Sequence, residues 1–228
     1  MEKALENRKK NRFRIKFHKS TFEKISEERR QKIFNVAISE FASKGYNAAN
    51  INEIAKKADI SIGSMYNYFA SKEDLFLAVM DKGSILLEEA LSQINIEEND
   101  IFEVFEKLLR AARDYAINYP EVNQLYLDAT TQGLSSLSSR LTLQLESSTA
   151  KLYNDIIRKA KHDKKIDPNI DDRVLSFCFD NLILMFQFSF TSSYYKERMK
   201  IFIGSDAMEN EERIIQGIIS FVKKAISK

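Results

Sequence analysis

Apolar positions along this chain recur at helical spacing almost from end to end. Ile33, Val36, Ala37 and Phe41, flanked by Phe34, form one stripe at i, i+3, i+4 and i+8, which predicts a helix from about Ser26 to Ser43. Gly45 follows, where a helix-ending glycine accepts the left-handed conformation. The stretch "NINEIAKKA" then opens a short helix. Asn50 is placed to cap its first turn, and Glu53 has the spacing to complete a capping box. Asp59 falls at a tight turn of the kind that needs positive φ, which Asp tolerates better than most residues. Ser61 caps a second short helix. Ser71 with Asp74 opens a long one, about 72–94, whose apolar side includes Leu75, Val79, Leu86 and Leu91. Residues 50–69 therefore read as a helix-turn-helix braced by longer helices, and the small Ala55 lets its two helices cross closely.

Beyond "INIEEND" the pattern stays helical, with segments expected near 100–118, 121–132, 138–162, 170–196 and 207–227. No strand alternation and no internal repeat is visible. The expected fold is all-α. A basic arm (1–24) precedes a three-helix unit (25–70) and a larger helical body (71–228). Within the body, "VLSFCFDNLILMFQFSF" (174–190) is apolar nearly all round. It is short for a membrane span and holds Asp180, Asn181 and Gln187, so it reads as a helix buried between neighbours or at an interface.

Composition narrows the classes of function. Hydrophobic residues make up 44% and charged residues 30% of the 228 positions, which describes a globular chain. Two prolines and six glycines favour long helices over a turn-rich β architecture. Cys178 stands alone, which excludes an internal disulfide and fits a reducing cytoplasm. With His18 and His162 as the only histidines, a zinc site or a histidine-based triad has no basis, and no cofactor is expected. A Gly-rich phosphate loop, a paired-histidine motif and a nucleophile elbow are all missing from the sequence, so an enzyme is not the expected class.

The net charge of +2 conceals an asymmetry: residues 1–24 carry nine basic side chains against three acidic ones, which leaves the remainder at −4. Such an arm suits a polyanion at the N-terminal end. It lacks the apolar core of a secretory signal, and its early glutamates and few serines argue against a transit peptide.

Residues 28–75 resemble the DNA-binding domain of the TetR (tetracycline repressor) family of transcriptional regulators. The resemblance rests on Phe41 and Gly45, then Ile54-Ala55, Ser61-x-Gly63, Tyr66-x-x-Phe69 and Lys72-Glu73-x-Leu75, in order and at fixed spacing. Three positions depart from the pattern: Asn50 where threonine is usual, Asp59 where the turn glycine is usual, and Asn67 where histidine is frequent.

The resemblance implies that the second helix, Ile62 to Tyr68, lies in the major groove of operator DNA. Ser64 and Asn67 are then the candidate base readers, and Gly63 permits close approach. Asn50, Ser61, Tyr66, Tyr68 and Lys72 would contact phosphates, joined by Arg12 and Arg14 of the arm. A packing role is the alternative for Tyr66 and Tyr68, and a merely solvated tail the alternative for the arm. Ile54, Ala55, Met65 and Phe69 read as core.

The family also implies a homodimer whose last two helices pair with the partner, here through Phe179, Leu182, Phe186, Phe190, Ile214, Ile218 and Val222; packing within one subunit is the alternative. It implies a small-molecule pocket in the body. Candidate lining residues are Phe102, Phe105, Tyr115, Tyr126, Asp128, Tyr153, Phe177 and Asn181, with Gln132 and Gln187 as further polar groups. The function expected from the resemblance is a regulator, a repressor released by an effector. An architectural DNA-binding protein of the same fold is the competing reading.

Overall fold

The computed structural model describes residues 15–96, 100–131 and 135–228. In chain order its helices are α1 Ser20–Glu23, α2 Glu27–Ala48, α3 Ile51–Lys57, α4 Ile62–Tyr68, α5 Lys72–Leu91, α6 Ile101–Asn118, α7 Pro120–Thr131, α8 Ser135–His162, α9 Asp172–Phe188, α10 Ser193–Ile203 and α11 Glu211–Ile226. No sheet forms among the described residues; the single β-bridge joins Ile166 to Ser227. The chain divides into two compact units, the first ending at Met80 and the second starting at Asp81. The first unit runs past residue 70 because Leu75, Phe76 and Val79 of α5 are sealed from solvent and Phe76 meets Phe41 edge-on at 5.1 Å.

Local punctuation in the first unit follows the sequence closely. Ser26 caps α2 by accepting from the Arg29 N–H at 3.3 Å, and Glu27 and Glu28 complement the positive end of the helix dipole. The helix does not stop at Ser43. It continues to Ala48 across a kink at Gly45, whose φ of 72° lies in the left-handed region. Asp59 adopts φ 59° in the turn between α3 and α4. Ser71 caps α5, accepting from the Asp74 N–H at 3.0 Å.

The capping box at α3 does not form. Asn50 accepts from the Asn52 N–H at 2.9 Å, while its own N–H lies beside the Glu40 carboxylate of α2 and favours its charged form. Glu40 is 1% exposed and also receives Lys44 at 2.6 Å and Lys57 at 2.7 Å. These donors hold its carboxyl well below the usual range, at about 2. One buried carboxylate thus ties α2 to both ends of α3.

The second unit is built around α6. Its N-terminus carries a complete capping box between Asp100 and Glu103, and its apolar face buries Val104, Phe105, Leu108, Leu109 and Ala112. Phe105 meets Phe179 of α9 at 4.5 Å between ring centroids. Arg110 bonds Glu106 at 2.6 Å and Glu212 at 2.7 Å, and Arg113 bonds Glu211 at 2.9 Å, fixing α11 along α6. At Gly83 an added Cβ would meet Val122 Cγ1 at 2.5 Å, so α5 approaches α7 more closely than any side chain allows.

Two expectations for the body change. The helix anticipated over 170–196 is two helices, α9 and α10, meeting at 106°. The break falls in "SFTSS", where the Ser189 hydroxyl bonds the Met185 carbonyl and Thr191 accepts from buried Asn123 at 2.7 Å. Hydroxyl side chains here compete with the helical ladder. Among the described residues no single helix is long and apolar enough to cross a membrane.

The second change concerns which side of α9 and α11 faces inward. Phe179, Phe186, Ile214 and Val222, expected on a dimer surface, are sealed in the core of this chain, with Leu182, Phe190 and Ile218 packed against it. The outward residues of α9 are Val174, Phe177, Cys178 and Asn181, with Phe177 69% exposed; on α11 they include Gly217 and Phe221, the latter 63% exposed. A helix apolar on every side offers no period by which to tell the faces apart.

Candidate nucleic-acid interface

The helix α4 is only 7 residues long and is held from both ends. At its start Ser61 accepts from the Ser64 N–H at 3.0 Å, and the two hydroxyls meet at 2.9 Å. Its inner side is Met65, followed by Phe69 just past the end, both fully buried. Ile54 and Ala55 of α3 are buried beside them, as the small residue at the crossing requires.

At the far end of α4, three carbonyls without helical partners each receive a donor from residues 19–21. The Lys19 N–H bonds the Tyr68 carbonyl at 2.8 Å, the Lys19 ammonium bonds that of Tyr66 at 2.8 Å, and the Thr21 hydroxyl bonds that of Asn67. Phe22 seals the junction with ring contacts to Phe34, Tyr68 and Phe69. Phe17 and Phe22 are buried. The stretch from residue 17 therefore belongs to the folded unit, and only residues before it can act as a free arm. Sequence reasoning missed this anchor. Its signal was a pair of phenylalanines at 17 and 22 among the basic residues.

The outward face of α4 presents Gly63, Tyr66 and Asn67, with Tyr66 45% exposed and Ile62 at its rim. An added Cβ at Gly63 would meet only Ser61 Oγ at 3.8 Å, so nothing among the described residues demands a glycine there. Asn50 and Ser61 are exposed at the two helix starts, and Ser64 is half-buried with its hydroxyl shared with Ser61. Tyr68 turns partly inward, its ring 5.7 Å from that of Phe22. Lys72 is committed locally: its ammonium donates to the Asn47 and Ala49 carbonyls at 3.1 Å each and lies 4.8 Å from the Tyr46 ring. Arg12 and Arg14 lie outside the described residues.

The candidate pocket residues scatter. Phe105 is in the core, Phe102 is half-buried beneath Lys223, and the Tyr115 hydroxyl is used up by the Gly83 carbonyl at 3.1 Å. Asp128 accepts from Gln124 at 2.8 Å, and Gln187 pairs with Asn123. Phe177 and Asn181 face outward and cannot line an interior pocket of one chain. Gln132 lies outside the described residues. Tyr126 and Tyr153 do come together, with Glu146 and Asp180 beside them.

Comparison with known proteins agrees with this geometry. The model of bacterial regulatory proteins of the tetR family matches residues 33–79, which span α3, α4 and parts of α2 and α5. The transcriptional repressor NicS of Pseudomonas putida is 27% identical over 49% of this chain and 53% of its own length. The matches to the first curated relatives cover 19%, 53% and 45% of those proteins. A TetR-family regulator from Chloroflexus aurantiacus superposes with a TM-score of 0.68 at 20% identity, covering 92% of this chain and 99% of that one. The structure of AibR with isovaleryl coenzyme A and operator DNA gives 0.56 at 18% identity, covering 70% of this chain and 85% of that one. At such identities the solved structures speak for the fold. Matched domain and helix-turn-helix geometry agree over residues 33–79, which form a domain of the kind found in bacterial regulatory proteins of the tetR family, and the whole chain shares the all-helical fold of the solved TetR-family structures.

Proposed function

We propose that the chain binds a palindromic operator as a homodimer through α3 and α4, represses transcription, and is released by a small molecule bound in its body. The observation that carries the DNA half is Gly63. Nothing among the described residues requires its bare backbone, yet it sits among Tyr66 and Asn67 on the outward face of a firmly anchored helix. A duplex pressed against that face explains it. Asn67 is then the base reader, Tyr66 and the exposed caps Asn50 and Ser61 face phosphates, and Arg12 and Arg14 extend the contact. Ser64 and Tyr68 play supporting parts, while Lys72 holds the end of α2.

For the dimer, the outward apolar residues Val174, Phe177 and Phe221 are the proposed contacts, because large apolar groups so exposed need a partner surface. A two-fold assembly matches a palindrome. A DNA partner places the protein in the cytoplasm, where an exposed lone Cys178 stays reduced. Release follows if an effector favours one arrangement of the body over another. The effector can shift DNA affinity only by its differential affinity for the two arrangements.

Selection of genomic duplexes by the purified full-length chain, followed by footprinting, tests the proposal. Enrichment of a palindrome protected on one face of the duplex is expected. Failure to enrich any duplex overturns the reading, and an operator complex indifferent to every effector found for it overturns the regulatory half.

A further inference from the structure

The outward face of α4 is held in place by residues that do not belong to it. The Phe69 N–H bonds the Met65 carbonyl and ends the helix, which leaves the carbonyls of Tyr66, Asn67 and Tyr68 without helical partners. Lys19 meets two of the three. It stands at the start of α1 in an extended conformation, φ −78° and ψ 158°, with its own carbonyl accepting from the Phe22 N–H at 3.0 Å. Its N–H is thereby left to bond Tyr68, and its ammonium reaches the Tyr66 carbonyl at the negative end of the α4 dipole. Thr21 takes the third carbonyl, that of Asn67.

The segment carrying these donors is itself fixed. Arg30 of α2 donates to the Glu23 carbonyl at the end of α1 at 2.9 Å and to the Glu27 carboxylate at 2.6 Å. Phe22 is 2% exposed, with its ring edge-on to Phe34 of α2 at 5.4 Å and 4.8 Å from that of Phe69. So α1 is a bridge, tied on one side to α2 and on the other to the last turn of α4. Asn67 is exposed on the turn so held. A bidentate contact to a base edge tolerates displacements of only about 0.5 Å and 10–20°. Whatever fixes the Asn67 backbone therefore also fixes what Asn67 can read.

We propose that Lys19 and Thr21 are positioning residues of the DNA site, which set the register of Asn67, and with it the sequence preference, without touching the duplex. The inference rests on the reading of α4 as the base-reading helix and adds residues that determine its specificity. It reverses the usual meaning of a lysine beside a DNA-binding face. A lysine that neutralises a phosphate adds affinity to every sequence alike and steepens the salt dependence. The Lys19 ammonium is directed to a carbonyl of the protein, so its loss should be felt in the choice of sequence.

The test uses the full-length chain with Lys19→Met, which keeps the stem and loses the ammonium, and Thr21→Val, which keeps the shape and loses the hydroxyl. The parent first selects its operator from random duplexes; if it enriches none, the DNA reading itself falls and the positioning role with it. Binding of each variant to that operator and to a scrambled duplex is then measured across salt concentrations, beside thermal melts. Lys19→Met is expected to bind the operator roughly tenfold more weakly. Its affinity for the scrambled duplex should stay within about twofold of the parent, with an unchanged slope of log affinity against log salt. Thr21→Val should show the same pattern at smaller amplitude. In an Asn67→Ala background the added loss from Lys19→Met should shrink to less than about twofold, because the residue it acts through is gone. Loss shared equally by both duplexes, with a slope reduced by about one, would make Lys19 a phosphate contact and overturn the proposal. Full additivity with Asn67→Ala would do the same, as would variants that keep the parent's preference while the parent selects its operator. Where Lys19→Met melts below the assay temperature, Thr21→Val decides.

Discussion

Two outward faces of this protein are built from opposite materials. The face of α4 offers a glycine, an asparagine and an exposed tyrosine. The outer side of α9 and α11 offers Val174, Phe177 and Phe221. The first suits a wet, charged, hydrogen-bonding surface. The second suits a dry one, since burying a phenylalanine side chain contributes roughly 1.5–3 kcal/mol. Exposure alone therefore does not say what a surface meets; the chemistry of the exposed atoms does.

The comparison can be broken most decisively at the dry face. Phe177→Glu with Phe221→Glu should place charges where the partner would bury them, at about 3–5 kcal/mol for an uncompensated buried charge. Light scattering is expected to report a monomer that keeps its helical circular dichroism and no longer holds operator; a dimer of unchanged mass would refute the assignment of that face. At the wet face, Asn67→Ala should weaken operator binding by about 1–3 kcal/mol and relax preference at one base position, with melting unchanged. Selection with the variant would show whether one column of the motif has lost its information.

Glu40→Gln sharpens the same contrast from beneath, because Glu40 braces the helix pair that carries the wet face. A folded-state carboxyl lowered to about 2 from 4.5 stabilises the fold above the higher value, and that stability is lost as pH falls through the lower one. The variant should therefore be less stable by about 1–3 kcal/mol at neutral pH. The gap to the parent should close in acid, as thermal melts across that range would show.

Gly63→Ala should do the reverse of a destabilising change. Helix propensity favours alanine by up to about 1 kcal/mol, so melting should rise while operator affinity falls. Affinity that survives the methyl would remove the argument for close approach. The smallest effect is expected from deleting residues 1–14, which should flatten the dependence of log affinity on log salt. A longer deletion through residue 20 would also remove Phe17 and Lys19 and confuse electrostatics with folding.

Where the chain announces itself by punctuation, it was legible. Ser61, Asp59 and Ser71 each act through a backbone requirement that one side chain satisfies, so their roles show at the level of single residues. Long-range substitutions were not legible. Glu53 had the right spacing for a cap, yet the carboxylate beside the Asn50 N–H is that of Glu40, distant in sequence and buried. The faces of α9 were hidden for a related reason: one side is buried against α6 and the other carries exposed Val174 and Phe177, so periodicity vanishes.

The three donors at the end of α4 have an energetic meaning beyond geometry. A helix of 7 residues is far below the roughly 12–15 that hold together in isolation. Lys19, Thr21 and Phe22 order it during folding, before any duplex arrives. The recognition surface thus gives up its conformational entropy in advance, so binding is not taxed by it. Encounter with DNA should accordingly be limited by diffusion and electrostatic steering, with no slow ordering phase.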